Sequence, residues 1–191
     1  LPACREAGAT SVSRGPYLQR GTPTSVVVRW RTPKPTDTRV VWGTDPGSLT
    51  SSATNGFVIT EHEILVTGLA PNTRYWYAVG TTTSLYAGDE THTFVTPPLA
   101  GTRQPVRAWI VGDSGQPGAV QNAVRDAFFG WTGARGADLW LMLGDNAYPS
   151  GTDAQYQERL FEVARSNPEW AHVYRAAMLA ANTSMRGVEV R

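Results

Sequence analysis

The chain has 191 residues, 41% hydrophobic and 10% aromatic, an ordinary globular composition with length for one large domain or two small ones. Its 17 basic and 16 acidic residues leave a net charge of +1 with no run of like charge, so nucleic acid is not an expected partner. No stretch reaches the roughly 20 apolar residues that a bilayer span needs, and no membrane span is expected.

Residues 1–11 read as a flexible N-terminus. They contain the one cysteine, Cys4, which excludes an internal disulfide and leaves the redox compartment open. Leu1-Pro2-Ala3 before it resembles the end of a bacterial lipoprotein signal. Cys4 is therefore either the site of a lipid anchor, in a secreted or cell-envelope protein, or a free thiol in a frayed terminus.

Residues 12–96 carry short β-rich runs separated by turn clusters, without sustained helical period. In Ser25-Val26-Val27-Val28-Arg29-Trp30-Arg31, alternation predicts a half-exposed strand with Val26, Val28 and Trp30 on one face and Val27, Arg29 and Arg31 on the other. A separate strand is expected at 38–42, closed by the turn Thr44-Asp45-Pro46-Gly47. Further strands at 57–60, 63–66, 74–80 and 92–95 bring the count near the seven of an immunoglobulin-like sandwich. Gly68-Leu69-Ala70-Pro71-Asn72-Thr73-Arg74-Tyr75-Trp76-Tyr77 resembles the fibronectin type III corner, with Tyr75 as the corner tyrosine, Leu69 capping the core, and Tyr77 and Val79 inward. His62 and His92 read as surface or strand-pairing histidines, because neither has a metal-ligand neighbour at useful spacing.

The stretch 97–105, rich in Pro and Gly, marks a linker, and 106–191 reads as a second domain. An apolar strand at 106–111 ends in Gly112-Asp113-Ser114-Gly115. A helix follows from about Pro117, with Ala119, Val120, Ala123, Val124, Ala127 and Phe128 on one side. The next apolar strand, 138–143, ends in Gly144-Asp145-Asn146-Ala147-Tyr148. Strand, helix, strand over this length is a βαβ unit with parallel strands, and ligands bind at the carboxyl ends of such strands. Neighbouring strands lie about 4.8 Å apart, so Asp113 and Asp145 are expected to enter one small volume. Two carboxylates that close repel unless a cation holds them, and two-metal phosphatase sites have ions about 3.5–4 Å apart. The spacing thus points to a dinuclear metal site.

Three segments, Arg14-Gly15-Pro16-Tyr17-Leu18-Gln19, Val40-Val41-Trp42-Gly43-Thr44 and 62–77, together with the two Gly-Asp motifs and the tyrosine three residues after the second, resemble the purple acid phosphatases. The resemblance implies a fibronectin III-like β-sandwich followed by the first βαβ part of an α/β, calcineurin-like metallophosphoesterase domain. It implies that Asp113 binds Fe(III), that Asp145 bridges the two metals, and that Tyr148 ligates the iron as a phenolate, the source of the family's colour. The second ion would be divalent: Fe, Zn or Mn. The implied activity is hydrolysis of a small phosphomonoester.

The family's later Asn-His pair, lone His and Gly-His-x-His segment have no counterpart here. His172 follows Ala171 rather than Asn and takes no ligand role, and the proton-donating histidine is absent. The chain alone is expected to be inactive, with at most three of the ligands. Thr152 and Gln155 form a capping pattern for a helix burying Tyr156, Leu160 and Val163, and 168–181 has helical apolar spacing behind Asn167. Asn182-Thr183-Ser184 is a chance-level glycosylation triplet.

Two other functions compete with this one. The sandwich would serve as a non-catalytic binding or spacer module beside a phosphoesterase remnant. Alternatively, Ser114 would be the nucleophile of a GDS-type serine esterase with Asn146 in its oxyanion hole; that mechanism needs a downstream Asp-x-x-His, and the one such spacing, Asp89 to His92, lies upstream. Oligomeric state is not legible. Mass spectrometry of the natural product decides the question at Cys4: a lipid mass on the N-terminal peptide marks an anchor, and an unmodified thiol ends that reading.

Overall fold

A computed structural model describes residues 12–133 and 137–162. Cys4, Val163, the 168–181 stripe with Asn167 and His172, and the Asn182 triplet lie outside the described residues. The chain divides into two units, Leu1–Arg103 and Gln104–Arg191. The first holds β1 (Arg14–Thr22), β2 (Ser25–Gly43), β3 (Ser51–Thr67), β4 (Arg74–Gly80), β5 (Leu85–Ala87) and β6 (Thr93–Val95). The second holds β7 (Ala108–Val111), α1 (Ala119–Thr132), β8 (Leu139–Met142) and α2 (Asp153–Tyr156), which continues as a π turn over Gln157–Phe161.

The first unit is a β-sandwich built on antiparallel pairing. β2 pairs β1 along Arg31 to Ser25 and β4 along Arg39 to Gly43, and β3 accompanies it through both parts. β2 and β3 therefore pass from one layer to the other. The pairs expected as separate strands, 25–31 with 38–42 and 57–60 with 63–66, are each one long bent strand. The bend falls where register shifts between Arg31 and Thr36 and again before Thr38. Pro33 and Pro35 stand in the first shift, where their missing N–H groups break the ladder without ending the strand. Val27 was expected on the outer face, but Val26, Val27 and Val28 are all fully buried, so the start of β2 is covered on both sides.

The core gathers Trp30, Tyr77, Val79, Phe94, Leu18 and Leu69. Tyr75 is the corner tyrosine: its hydroxyl accepts from the Ala70 N–H at 2.9 Å, and its ring stacks on Phe94. In the 44–47 turn the Asp45 carboxylate accepts from the Gly47 N–H at 2.8 Å.

Neither described histidine is at the surface; His62 and His92 are buried, at 1% and 5% exposure. His92 pairs with Asp89, Nδ1 to Oδ1 2.8 Å. His62 sits opposite Trp30 in the β2–β3 ladder and stacks on it with centroids 4.8 Å apart. Its Nε2 meets Thr32 Oγ1 at 2.8 Å and its Nδ1 meets Thr38 Oγ1 at 2.7 Å. Since the Thr32 hydroxyl donates to the Lys34 carbonyl, it must accept from Nε2–H, which leaves Nδ1 to accept from Thr38. A neutral imidazole thus clips the two ends of the bend.

In the second unit β7 and β8 pair in parallel, Ala108 with Leu139 through Val111 with Met142. Trp109 stacks on Phe128 of α1 at 4.3 Å and on Trp140 at 5.2 Å, and Trp140 and Met142 are buried on that side. The helix departs from expectation: Val120 is 79% and Val124 48% exposed, Ala119, Ala123 and Ala127 are exposed too, and of the predicted side Phe128 is the residue stacked on the sheet. Two strands about 4.8 Å apart are narrower than a helix some 10 Å across, so they cover only part of its apolar arc. Ile110 on β7 and Leu143 just past β8 are likewise exposed. The Thr152 capping box forms as expected, Gln155 N–H to Thr152 Oγ1 at 3.3 Å and Thr152 N–H to Gln155 Oε1 at 3.1 Å, with Tyr156, Leu160 and Phe161 buried.

Burial lowers the His62 pKa, against a weaker opposing pull from Asp37. Because the folded value lies below the unfolded value of about 6.5, the unfolded chain binds the extra proton first. Stability from this group is full above about pH 6.5 and declines as pH falls below it. Urea midpoints between pH 7 and pH 5 should therefore fall more steeply for the wild type than for His62→Gln; parallel curves contradict the clip.

Candidate metal centre

The two Gly-Asp turns meet because strand pairing continues past the ends of β7 and β8. Leu143 N–H donates to the Val111 carbonyl at 2.9 Å, Asp113 N–H to Gly144 at 3.1 Å, Gly115 N–H to Asp145 at 2.8 Å, and Tyr148 N–H to Gly115 at 3.3 Å. Asp113 and Asp145 each turn the chain with positive φ, 57° and 52°. Asp tolerates this left-handed conformation better than most residues, and here it tips both carboxylates out of the ladder at its carboxyl edge.

Both aspartates are exposed and converge on one hydroxyl. Tyr148 Oη meets Asp113 Oδ1 in a short hydrogen bond and Asp145 Oδ2 at 2.9 Å. These two acceptors, Asp113 foremost, hold the phenolic proton and push the Tyr148 pKa up. All three residues read from the sequence as metal ligands, Asp113, Asp145 and Tyr148, are thus brought together.

Gly115 makes the approach possible. A Cβ there would lie 2.3 Å from Ala147 N, 2.4 Å from Asn146 C and 2.5 Å from Asp145 O, all main-chain atoms that cannot swing aside. Directly after Asp145 in the chain, Asn146 is 4% exposed and no protein group donates to its Oδ1. Gln121, from the first turn of α1, donates through Nε2 to the Ser114 carbonyl at 2.6 Å, while its buried Oε1 has no partner. Sequence reading did not single out Gln121, and it weighed Asn146 only for an oxyanion hole. A glutamine in an apolar helix carries no signal until its loop is seen, whereas Asn146 sits inside the motif.

The donor set is oxygen throughout, two carboxylates and a phenol, of the hard kind that suits Mg, Mn or Fe(III). Among the described residues no group of three or more His, Cys, Asp or Glu gathers, so the set is partial. No histidine occurs in the described part of this unit to act as base for Ser114; Asp89 and His92 pair within the first unit.

The sequence profile of the family described as "Purple acid Phosphatase, N-terminal domain" matches residues 15–96. The solved structure of PhoD aligns over 91% of this chain with TM-score 0.62 and 14% identity, and the chain spans 39% of the PhoD chain. A human fibronectin type III domain, the sixth of fibronectin type III domain containing protein 3, aligns at 23% identity over 54% of this chain and 99% of its own, TM-score 0.35. The FN5 domain of Drosophila Lar aligns at 22% identity over 47% of this chain and 97% of its own, TM-score 0.35. No curated protein matches the sequence significantly. The profile match points to a phosphoesterase family, and the PhoD likeness to the fold. No helix among the described residues is long and apolar enough to cross a membrane.

Gly115→Ala should cost about 1–3 kcal/mol through overpacking. Urea denaturation measures it; wild-type stability would mean that the two turns separate freely.

Proposed function

We propose that this chain contributes part of the centre of a metal-dependent phosphomonoesterase of the purple acid phosphatase kind. The observation that carries the reading is the convergence of the Asp113 and Asp145 carboxylates on the Tyr148 hydroxyl, at the carboxyl edge of a parallel strand pair. Asp113 and Tyr148 would hold Fe(III), and Asp145 would bridge to a divalent ion. When bound, the ions supply positive charge that activates a water for in-line attack and offsets charge on the phosphoryl oxygens.

The chain's own residues prepare this chemistry. Asp113 and Asp145 present oxygens held in place by backbone bonds between the two turns. Tyr148 Oη keeps its proton between them, and as a ligand it would give that proton up and serve as a phenolate. The family profile covers the sandwich, and the βαβ fold offers the turns in the order the chemistry requires. The protonating group for the leaving alcohol comes from elsewhere than the described residues. A secreted or cell-envelope location belongs to the same proposal.

In the full-length protein, Asp145→Asn should lower p-nitrophenyl phosphate turnover at least about a hundredfold, since it strips charge from the bridging position. Full turnover in that variant would remove Asp145 from the centre.

A further inference from the structure

Asn146 is the one side chain of the Gly-Asp-Asn-Ala-Tyr turn that is polar and deeply buried. Its Oδ1 receives no hydrogen bond from the protein. Buried polar atoms in native folds nearly always find a partner, and each exception asks for an explanation such as an ordered water or ion. A leucine of similar size would fill the place with no polar group to satisfy. The residue cannot relieve the cost by moving its main chain, because its carbonyl carbon and the Ala147 nitrogen are pressed against Gly115. The same turn carries Asp145 one residue earlier and Tyr148 two residues later. On the facing turn the pattern recurs: Gln121 braces the Ser114 carbonyl with one end of its amide and keeps the other, Oε1, buried without a donor. Other buried polar atoms, Trp30 Nε1 among them, show the same lack. What sets Asn146 and Gln121 apart is that one follows Asp145 directly and the other holds the carbonyl of Ser114, next to Asp113, where a broken local rule coincides with a candidate site.

We propose that Asn146 is a positioning residue for the metal centre: its buried amide oxygen takes its hydrogen bond from a water ordered by the bound ion, and this bond holds the 145–148 turn in the conformation that aims Asp145. The proposal rests on the metal-centre reading above. It separates two quantities that a structural amide would move together. Removing the orphan acceptor relieves the ion-free protein of a cost, while the loaded protein loses a bond.

The test uses Mn2+ alone as probe, with binding followed by titration calorimetry and melting measured in EDTA, on the wild type, Asn146→Leu, Asn146→Ala and Asn146→Asp. Asn146→Leu should bind Mn2+ about 10–100-fold more weakly, the usual effect of losing a group behind a ligand, with a melting temperature in EDTA equal to or above that of the wild type. Asn146→Ala should show the same loss of affinity, and it serves if the leucine variant does not fold. Asn146→Asp keeps an acceptor oxygen and should bind within about threefold of wild type. Wild-type affinity in the leucine or alanine variant, or a lowered melting temperature as the sole effect, overturns the role of Asn146 and leaves the centre standing. Absence of Mn2+ binding by the wild type, matched by Asp145→Asn, overturns the centre and the inference together.

Discussion

The candidate centre depends on a few backbone hydrogen bonds that carry the parallel pairing of β7 and β8 beyond the strands. Asp113 N–H to Gly144 and Gly115 N–H to Asp145 tie two turns that are some thirty residues apart in sequence. Without them the two turns would lose the backbone bonds that set the aspartates side by side. With them, both carboxylates address one phenol, and their mutual repulsion is offset by a shared proton. Gly115 is the spatial condition for this, since any side chain would wedge the turns apart.

The sandwich follows a different constraint. Two strands long enough to serve both layers must bend, and the Pro33–Pro35 region of β2 makes the bend by giving up ladder bonds. His62 holds the two ends through Thr32 and Thr38 while its ring stacks on Trp30. The bend thus exchanges lost backbone bonds for a buried polar clip that is satisfied only when the imidazole is neutral. The roles the two described histidines show are structural, His62 in the β2–β3 ladder and His92 paired with Asp89.

The second unit shows how a sequence pattern overstates burial. Apolar residues at helical spacing along α1 promise a covered side, yet most are exposed, because the two described strands are too narrow to receive them. Parallel sheets in native folds are covered on both faces, so Val120, Val124, Ile110 and Leu143 mark apolar area that the described residues leave open.

Alternation, turn residues and the Gly-Asp motifs determined by themselves that a β-sandwich is followed by a βαβ unit, and that Asp113 and Asp145 belong to one edge; Tyr148 was added by the resemblance to purple acid phosphatases. Those signals are local: side-chain period within a strand, a tyrosine five residues after the backbone it caps, a carboxylate where a strand stops. Tertiary structure alone decided what depends on non-local pairing. That includes the joining of predicted strand pairs into single bent strands, the burial of His62 and His92, the close approach at Gly115, and the orphaned acceptors of Asn146 and Gln121. Each arises from contact between segments distant in the chain, where spacing along the sequence carries no information about which atoms meet.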